Sequence, residues 1–559
     1  MSDKSSIYIQ DIAINYIQQI VKQCNGMKTI VFDAETKILF SLVMTKSSAI
    51  KEEIFMFEEI KNLKTQNKNM NVKAIFFLKP SEENISLLVP LLKQPIYGEY
   101  YVNFTNVVSD EQLRKLANSD EFSTIKNMEE VYLDYYVINK NFFHLNFESS
   151  SVNQLYSNIN KWKQNEHFVI NEITKNLFAY CISMRLNPVI KYIKKNELSS
   201  LLANKLYELF NDNRDVVAKN CGNNPNSLVL IYDRREDPIT PLLTQWTYQA
   251  MIHDNYKINN NIIDFQNEKV VLSDMEDDFL LENKEKEFGE ITNIINDKVM
   301  EYAKNNKDDE KMDTFKDMVK YLENIPTLKK QSMEVTKHSG IIFDLIRRVN
   351  EKKLLEISSL EQDIACSSSK KEHLNKIISI IKNPVYSKHT LEKVKLYLLF
   401  CLRYEDDQMA INTLKEVMSE NNMHDYMIIG DLIIKNFGNN SRSLDLFGNK
   451  DFLSRHLNKI TSVFKEVPNV FTQHTSLLSN LLKKILEKKT LTELETLNST
   501  GKEKIDNYTI FCIGGCTYEE LRDINSISKT MKLNISLGST HVLNPNEFIE
   551  MIENIKGNK

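Results

Sequence analysis

The sequence predicts an α/β plus all-α fold, with two parallel-sheet α/β units and a mainly helical region inserted in the second. Three observations carry this. Short apolar runs alternate with helix-length segments from Lys28 to Tyr232. From Ile291 onward, apolar residues recur at helical spacing over long stretches. Near the end, DNYTIFCIGGCTYEE and MKLNISLGSTHVLNP return to a strand, a tight turn, a helix and a final strand. A chain of 559 residues exceeds one core, and about three or four domains are expected.

The elements follow in order. Ile9, Ile12, Tyr16 and Ile20 share one face of a first helix. Lys28–Phe32 and Ile38–Val43 are apolar enough to be strands, with a helix around Ile54–Ile60 after them. VKAIFFLKP (Val72–Pro80) is a continuous apolar strand closed by Pro80, and Tyr100–Phe104 and Tyr132–Ile138 are two more. Leu113 and Leu116 on one helix would face Ile125 and Met128 on the next, with Glu129 and Glu130 beside them. A second unit opens with FFHLNF and continues through a helix over Lys191–Asn211. Its central strand, Leu228–Tyr232, is apolar throughout, as strands covered on both faces are. The second unit is short of strands, so the last ~80 residues are expected to complete its sheet. The expected domains are 1–138, then 139–250 with 476–559, and 251–475.

In the helical region, the Asn-rich stretch Ile258–Lys269 reads as turns. Ile291, Ile295, Val299 and Tyr302 line one helix face. A charged linker, Asn305–Lys311, leads to Phe315, Met318, Val319 and Leu322, and Pro326 should break that helix at a bend or hairpin tip. Ile341, Ile342, Leu345, Ile346 and Val349 mark a further helix.

The densest chemistry follows Tyr232. Asp233, Arg234, Arg235, Glu236 and Asp237 stand in a row, Pro238 and Pro241 force a turn, and Leu242–His253 reads as a helix containing Trp246. Charged residues at the end of a buried parallel strand occupy the place where open α/β sheets bind ligands. They are explained better as a brace of ion pairs and hydrogen bonds in which Arg234 and Arg235 satisfy Asp233, Glu236 and Asp237. No nucleophile–base pair accompanies them.

Several function classes are excluded. Only 13 glycines occur, roughly a third of the usual share, and no GxGxxG can be written. Gly501-Lys502 is followed by Glu503, which removes the hydroxyl that a phosphate-binding loop needs. HExxH and GxSxG are absent, and Cys512 and Cys516 lack the further ligands of a zinc site, so neither metal nor cofactor is expected. A net charge of −5 gives no field for nucleic acid. Seven scattered cysteines, no signal-peptide core in MSDKSSIYIQ and no run of ~20 apolar residues predict a cytoplasmic protein. Any membrane attachment would come through a partner.

DRREDPITPLLTQWTYQAMIHD closely resembles the corresponding segment of the SM family, the syntaxin-binding regulators of SNARE-mediated membrane fusion. GMKTIVFDAETK, KEEIFMFEEI, QPIYGEYYVNFTNVVSDEQLRKLANSD, HSGIIFDLIRRVNEKKLLEISSLEQDIAC and VFTQHTSLL resemble it as well, in particular its endosomal and trans-Golgi branch. The resemblance implies an arch-shaped fold without enzymatic activity, peripheral association with Golgi and endosomal membranes, and partnership with a syntaxin-type SNARE and the assembling SNARE complex. It leaves room for a Rab effector role. It also implies that the first domain holds a syntaxin N-terminal peptide at Leu113, Leu116, Ile125, Met128, Glu129 and Glu130. Phe315, Met318, Leu322 and Pro326 would lie on a helical hairpin that receives SNARE helices, and Asp233, Arg234, Asp237, Pro238, Pro241 and Trp246 would form a structural signature. Two other readings stand beside it: an α/β enzyme acting at Asp233–Asp237, and a scaffold whose helices bind coiled coils.

Overall fold

The computed structural model describes residues 8–65, 69–157, 168–305, 315–447, 473–489, 491–499, 501 and 504–555. The first sheet is built from β1 (Lys28–Phe32), β2 (Ile54–Glu59), β3 (Asn69–Leu78), β4 (Tyr97–Phe104) and β5 (Ile125–Glu130). Their order is β2-β1-β3-β4-β5, and every pair is parallel. The chain therefore reverses its direction of travel across the sheet beside β1, as in doubly wound α/β folds. On one face Phe76, Tyr100, Val102 and Phe104 pack with Leu88, Leu91 and Leu116.

Two expectations here are exchanged. Ile38–Val43 is not a strand: it lies in the helix Ala34–Val43, which Asp33 starts by accepting from the amides of Glu35 and Thr36 while the Thr36 hydroxyl closes a capping box. Conversely Ile54–Ile60 is not a helix, because β2 pairs along β1 from Lys28↔Ile54 onward. Both stretches are short and apolar, which leaves their periodicity undecided, and the capping residue settles the first. Ile125–Glu130, expected as a helix, is the edge strand β5.

The second sheet contains β6 (Tyr136–Asn139), β7 (Phe142–His144), β8 (Pro188–Ile193), β9 (Ser227–Asp233), β12 (Leu494–Leu497), β13 (Asn507–Ile513) and β14 (Asn534–Ser539), in the order β12-β8-β9-β13-β14-β7-β6. Its outer pairs, β12 with β8 and β6 with β7, are antiparallel, and the inner ones are parallel. The strand expected over Tyr132–Ile138 thus begins only at Tyr136 and belongs to this sheet. The helix expected from Lys191 begins at Glu197, capped by Asn196, since Lys191–Ile193 is still β8.

The remaining strands, β10 (Ile262–Phe265) and β11 (Glu268–Val271), form a hairpin where turns alone were expected. Gln266 and Asn267 make its two-residue loop with φ of 51° and 66°, the left-handed pair that a tight hairpin demands. After Asp237 the chain takes a short 3-10 turn at Thr240–Leu242, and the helix starts at Tyr248 rather than Leu242. Long helices follow at Phe288–Asn305 and Phe315–Glu351. The second corrects the expected break: it runs through Pro326 to Glu351 as one helix. A proline removes one backbone hydrogen bond and bends a helix without having to end it. Residues 306–311 of the expected linker, and 470–472 of VFTQHTSLL, lie outside the described residues.

The chain divides into two units, Met1–Arg234 with Thr490–Cys516 and Ile524–Val542, and Arg235–Lys489 with Thr517–Asp523 and Leu543–Lys559. Both large sheets fall in the first unit, and the hairpin and long helices in the second. No described helix is long and apolar enough to cross a membrane.

Candidate functional site

The helix Asp110–Ala117 and the edge strand β5 form one end of the first sheet. Ser109 caps the helix through Gln112, whose side-chain amide also donates to Pro80 O at 3.1 Å and Glu82 Oε1 at 2.8 Å. Asp120 fixes the entry to β5 by accepting from the Thr124 amide and hydroxyl, both at 2.8 Å, and the Ile125 amide at 3.1 Å. Leu116 is fully buried, and Ile125 and Met128 pack against the same core. Leu113, one turn earlier, keeps 39% of its surface exposed. The turn between helix and strand adds Phe122, 64% exposed, which the sequence reading missed. Its signal would have been a lone aromatic among polar turn residues.

The acidic residues divide. The register slips between Tyr100↔Ile125 and Tyr101↔Asn127, so Ile125, Met128 and Glu130 share the face of Tyr100, Val102 and Phe104. Glu129 pairs with Asn103 on the opposite face, where Gln23 donates to it at 3.1 Å and Asn127 at 2.8 Å. Glu130 accepts from the Val108 amide at 2.8 Å and from the Tyr132 hydroxyl at 2.6 Å. Burial and this carboxylate hold the Tyr132 phenol well above its usual range, so it stays a donor. Leu116, Ile125, Met128 and Glu130 therefore share one face, Glu129 lies on the other, and Leu113 is exposed one turn before Leu116.

The charged run after β9 is buried from Asp233 to Asp237. Asp233 accepts from the Tyr156 hydroxyl and the Asn196 side-chain Nδ2, each at 3.0 Å. Arg234 donates from Nε to Gly515 O at 3.1 Å and reaches Cys512 Sγ at 3.5 Å. Gly514 explains the paired glycines: at φ +88°, an added Cβ would stand 2.0 Å from the Tyr156 hydroxyl oxygen. Glu236 accepts from the amides of Ser443 and Leu444 at 2.9 and 2.8 Å. Asp237 accepts from the amides of Ile239, Thr240 and Leu477 at 3.2, 3.0 and 3.0 Å, and from the Thr240 hydroxyl at 2.7 Å. Pro238 and Pro241 are buried, and Trp246 donates to Ser358 Oγ at 2.8 Å. Carboxylates turned onto backbone amides hold separate segments together. Among the described residues, no group of three or more His, Cys, Asp or Glu could hold a metal ion. Phe315, Met318, Leu322 and Pro326 all lie on the helix Phe315–Glu351, whose later turns expose Met333 and Phe343.

The Sec1 family model matches residues 28–551, which takes in both sheets, the charged run and the long helices. The chain belongs to the Sec1 family. Among family members, vacuolar protein sorting-associated protein 45 of Dictyostelium discoideum is 32% identical, over 98% of this chain and 97% of its own. The human protein of that name is 31% identical over 96% of this chain and 94% of its own. A solved structure of the SM protein Vps45 in complex with the Qa SNARE Tlg2 superimposes with a TM-score of 0.86 at 28% identity, covering 98% of both chains.

Proposed function

We infer that this chain regulates SNARE-mediated vesicle fusion by binding a syntaxin-type SNARE and aligning the assembling SNARE helices, without catalysing a reaction. The observation that carries this reading is the full-length likeness to Vps45, whose solved complex holds the Qa SNARE Tlg2. It acts in endosomal and trans-Golgi traffic, peripherally associated with those membranes through its SNARE partner. The syntaxin N-terminal peptide docks beside Leu113, with Leu116, Ile125 and Met128 as the apolar floor and Glu130 behind them. Support comes from the pairing of a buried floor with one half-exposed leucine, the arrangement that lets a bulky peptide side chain complete a core. Glu129, across the sheet, contributes charge only at a distance. Phe315, Met318, Leu322 and Pro326 belong to the helix offered to SNARE helices, an amphipathic surface for heptad-spaced partners. The buried charges Asp233–Asp237 brace the fold.

The decisive experiment measures binding of a fluorescent N-terminal peptide from a Qa SNARE to the full chain and to Leu113→Arg. Micromolar or tighter binding that the substitution weakens about 30-fold supports the reading. Undiminished binding in a folded Leu113→Arg chain overturns the docking face, and failure to capture any Qa SNARE overturns the function.

A further inference from the structure

The helix that carries Leu113 is tied down by the connector between the two large sheets. After β4 the chain runs through Asn106, Val107 and Val108 into the helix Asp110–Ala117. After β5 it runs from Val131 to Tyr135 before entering β6, and all of these connector residues are buried. The two segments are laced together. The Val131 amide donates to Phe104 O at 2.8 Å, the Val108 amide donates to Glu130 Oε1 at 2.8 Å, and Asn106 Nδ2 donates to Asp134 Oδ2 at 3.0 Å.

Tyr132 sits at the middle of this lacing. Among the described residues it is the one aromatic with a positive φ, at 49°. A bulky side chain is disfavoured in that conformation, so the surrounding structure has to enforce it. The result is local. The Tyr132 hydroxyl donates to Glu130 Oε2 at 2.6 Å, while the other oxygen of the same carboxylate takes the Val108 amide. A buried phenol and a backbone amide thus share one carboxylate and fix its orientation.

Val108 holds a particular place in the helix cap. With Ser109 as the N-cap, Val108 is the residue just before the cap and Leu113 is the fourth helical residue. Those are the two positions whose apolar side chains pair in a hydrophobic staple, which sets the angle at which the chain enters a helix. Val108 belongs to the core cluster, against which Ile125 and Met128 also pack, whereas Leu113 is left 39% exposed. Fixing the Val108 amide therefore fixes one half of the staple, and with it the direction in which Leu113 is presented.

Resting on the docking-face reading above, we propose that Tyr132 is a positioning residue for peptide recognition: its hydroxyl holds Glu130 on the Val108 amide, and this sets the presentation of Leu113. Binding of a fluorescent Qa SNARE N-terminal peptide to the full chain, followed by anisotropy, tests this. Tyr132→Phe keeps the ring and loses only the hydroxyl. It should weaken the peptide about fivefold, within the range by which residues that never touch a ligand alter its binding. The loss should vanish where its route is already cut. Leu113→Ala/Tyr132→Phe should bind within about a factor of two of Leu113→Ala, and Glu130→Ala/Tyr132→Phe within the same margin of Glu130→Ala. The Val108 amide should also exchange its hydrogen with solvent faster in Tyr132→Phe. A tyrosine with a purely structural role would lower the melting temperature and leave peptide affinity alone, or would add its whole loss to that of Leu113→Ala. Either result overturns the assignment. Undiminished binding by Leu113→Arg would remove the docking face and this relay together, whereas parental binding by Tyr132→Phe in a chain that does depend on Leu113 overturns the relay alone.

Discussion

The run Asp233–Asp237 and the helix Asp110–Ala117 use their side chains in opposite ways. The first is the most heavily charged stretch beside any core strand, and burial with backbone amides as partners commits it to the fold. The second is ordinary in composition, yet it leaves Leu113 half exposed one turn from the buried Leu116. A charge whose hydrogen bonds are already made can bind little else, whereas an apolar side chain left partly in water gains by being covered. Conspicuous chemistry therefore marks the scaffold here, and the proposed recognition face falls on an inconspicuous helix.

The contrast breaks first at Asp237. Replacing it with alanine strands three backbone amides and should cost about 3–5 kcal/mol in chemical denaturation, the range for opening a buried charge network. A loss below 1 kcal/mol would remove the bracing role. Gly514→Ala is next: a left-handed φ and the Tyr156 hydroxyl oppose it, and about 2–3 kcal/mol should be lost in the same assay. Leu113→Arg sharpens the other side. Stability should shift by no more than about 0.5 kcal/mol, while peptide binding falls about 30-fold. Leu116→Arg, only three residues away but fully buried, should instead prevent folding.

A pH-dependent effect concerns Asp254, whose carboxyl burial pushes up to about 7 from 3.8, against the pull of Lys395 and His253. Between pH 4 and 7 the folded chain binds more protons at this group than the unfolded chain does, so its contribution falls as pH rises and is fully lost above 7. Asp254→Asn removes that penalty. Its melting temperature should match the parent near pH 4 and exceed it increasingly up to pH 7, with a constant gain beyond. A constant difference from pH 4 to 8 would place the shift elsewhere.

The apolar strands β3, β4, β9 and β13 were legible because a run buried on both faces needs no periodicity to be recognised. Ile38–Val43 and Ile54–Ile60 were exchanged because short, mostly apolar runs suit either state, and the deciding Asp33 cap lies outside the first run. Glu129 was grouped with Glu130 because the stretch read as a helix, whereas on the strand β5 adjacent side chains point to opposite faces. The charged run could be suspected of burial from its apolar and proline flanks. Its partners Tyr156, Asn196, Ser443 and Leu477 could not be named, being far along the chain.

The place of β13, between β9 and β14, has a consequence for biosynthesis. β9 waits on the ribosome with one flank open until everything between residues 233 and 507 has been translated. Until then an oily ribbon with unpaired amides is available to any neighbouring nascent chain, the state that chaperones shield. A stop codon anywhere in that interval would leave the ribbon open for good, so even late truncations should be cleared as misfolded protein rather than persist as partly working fragments.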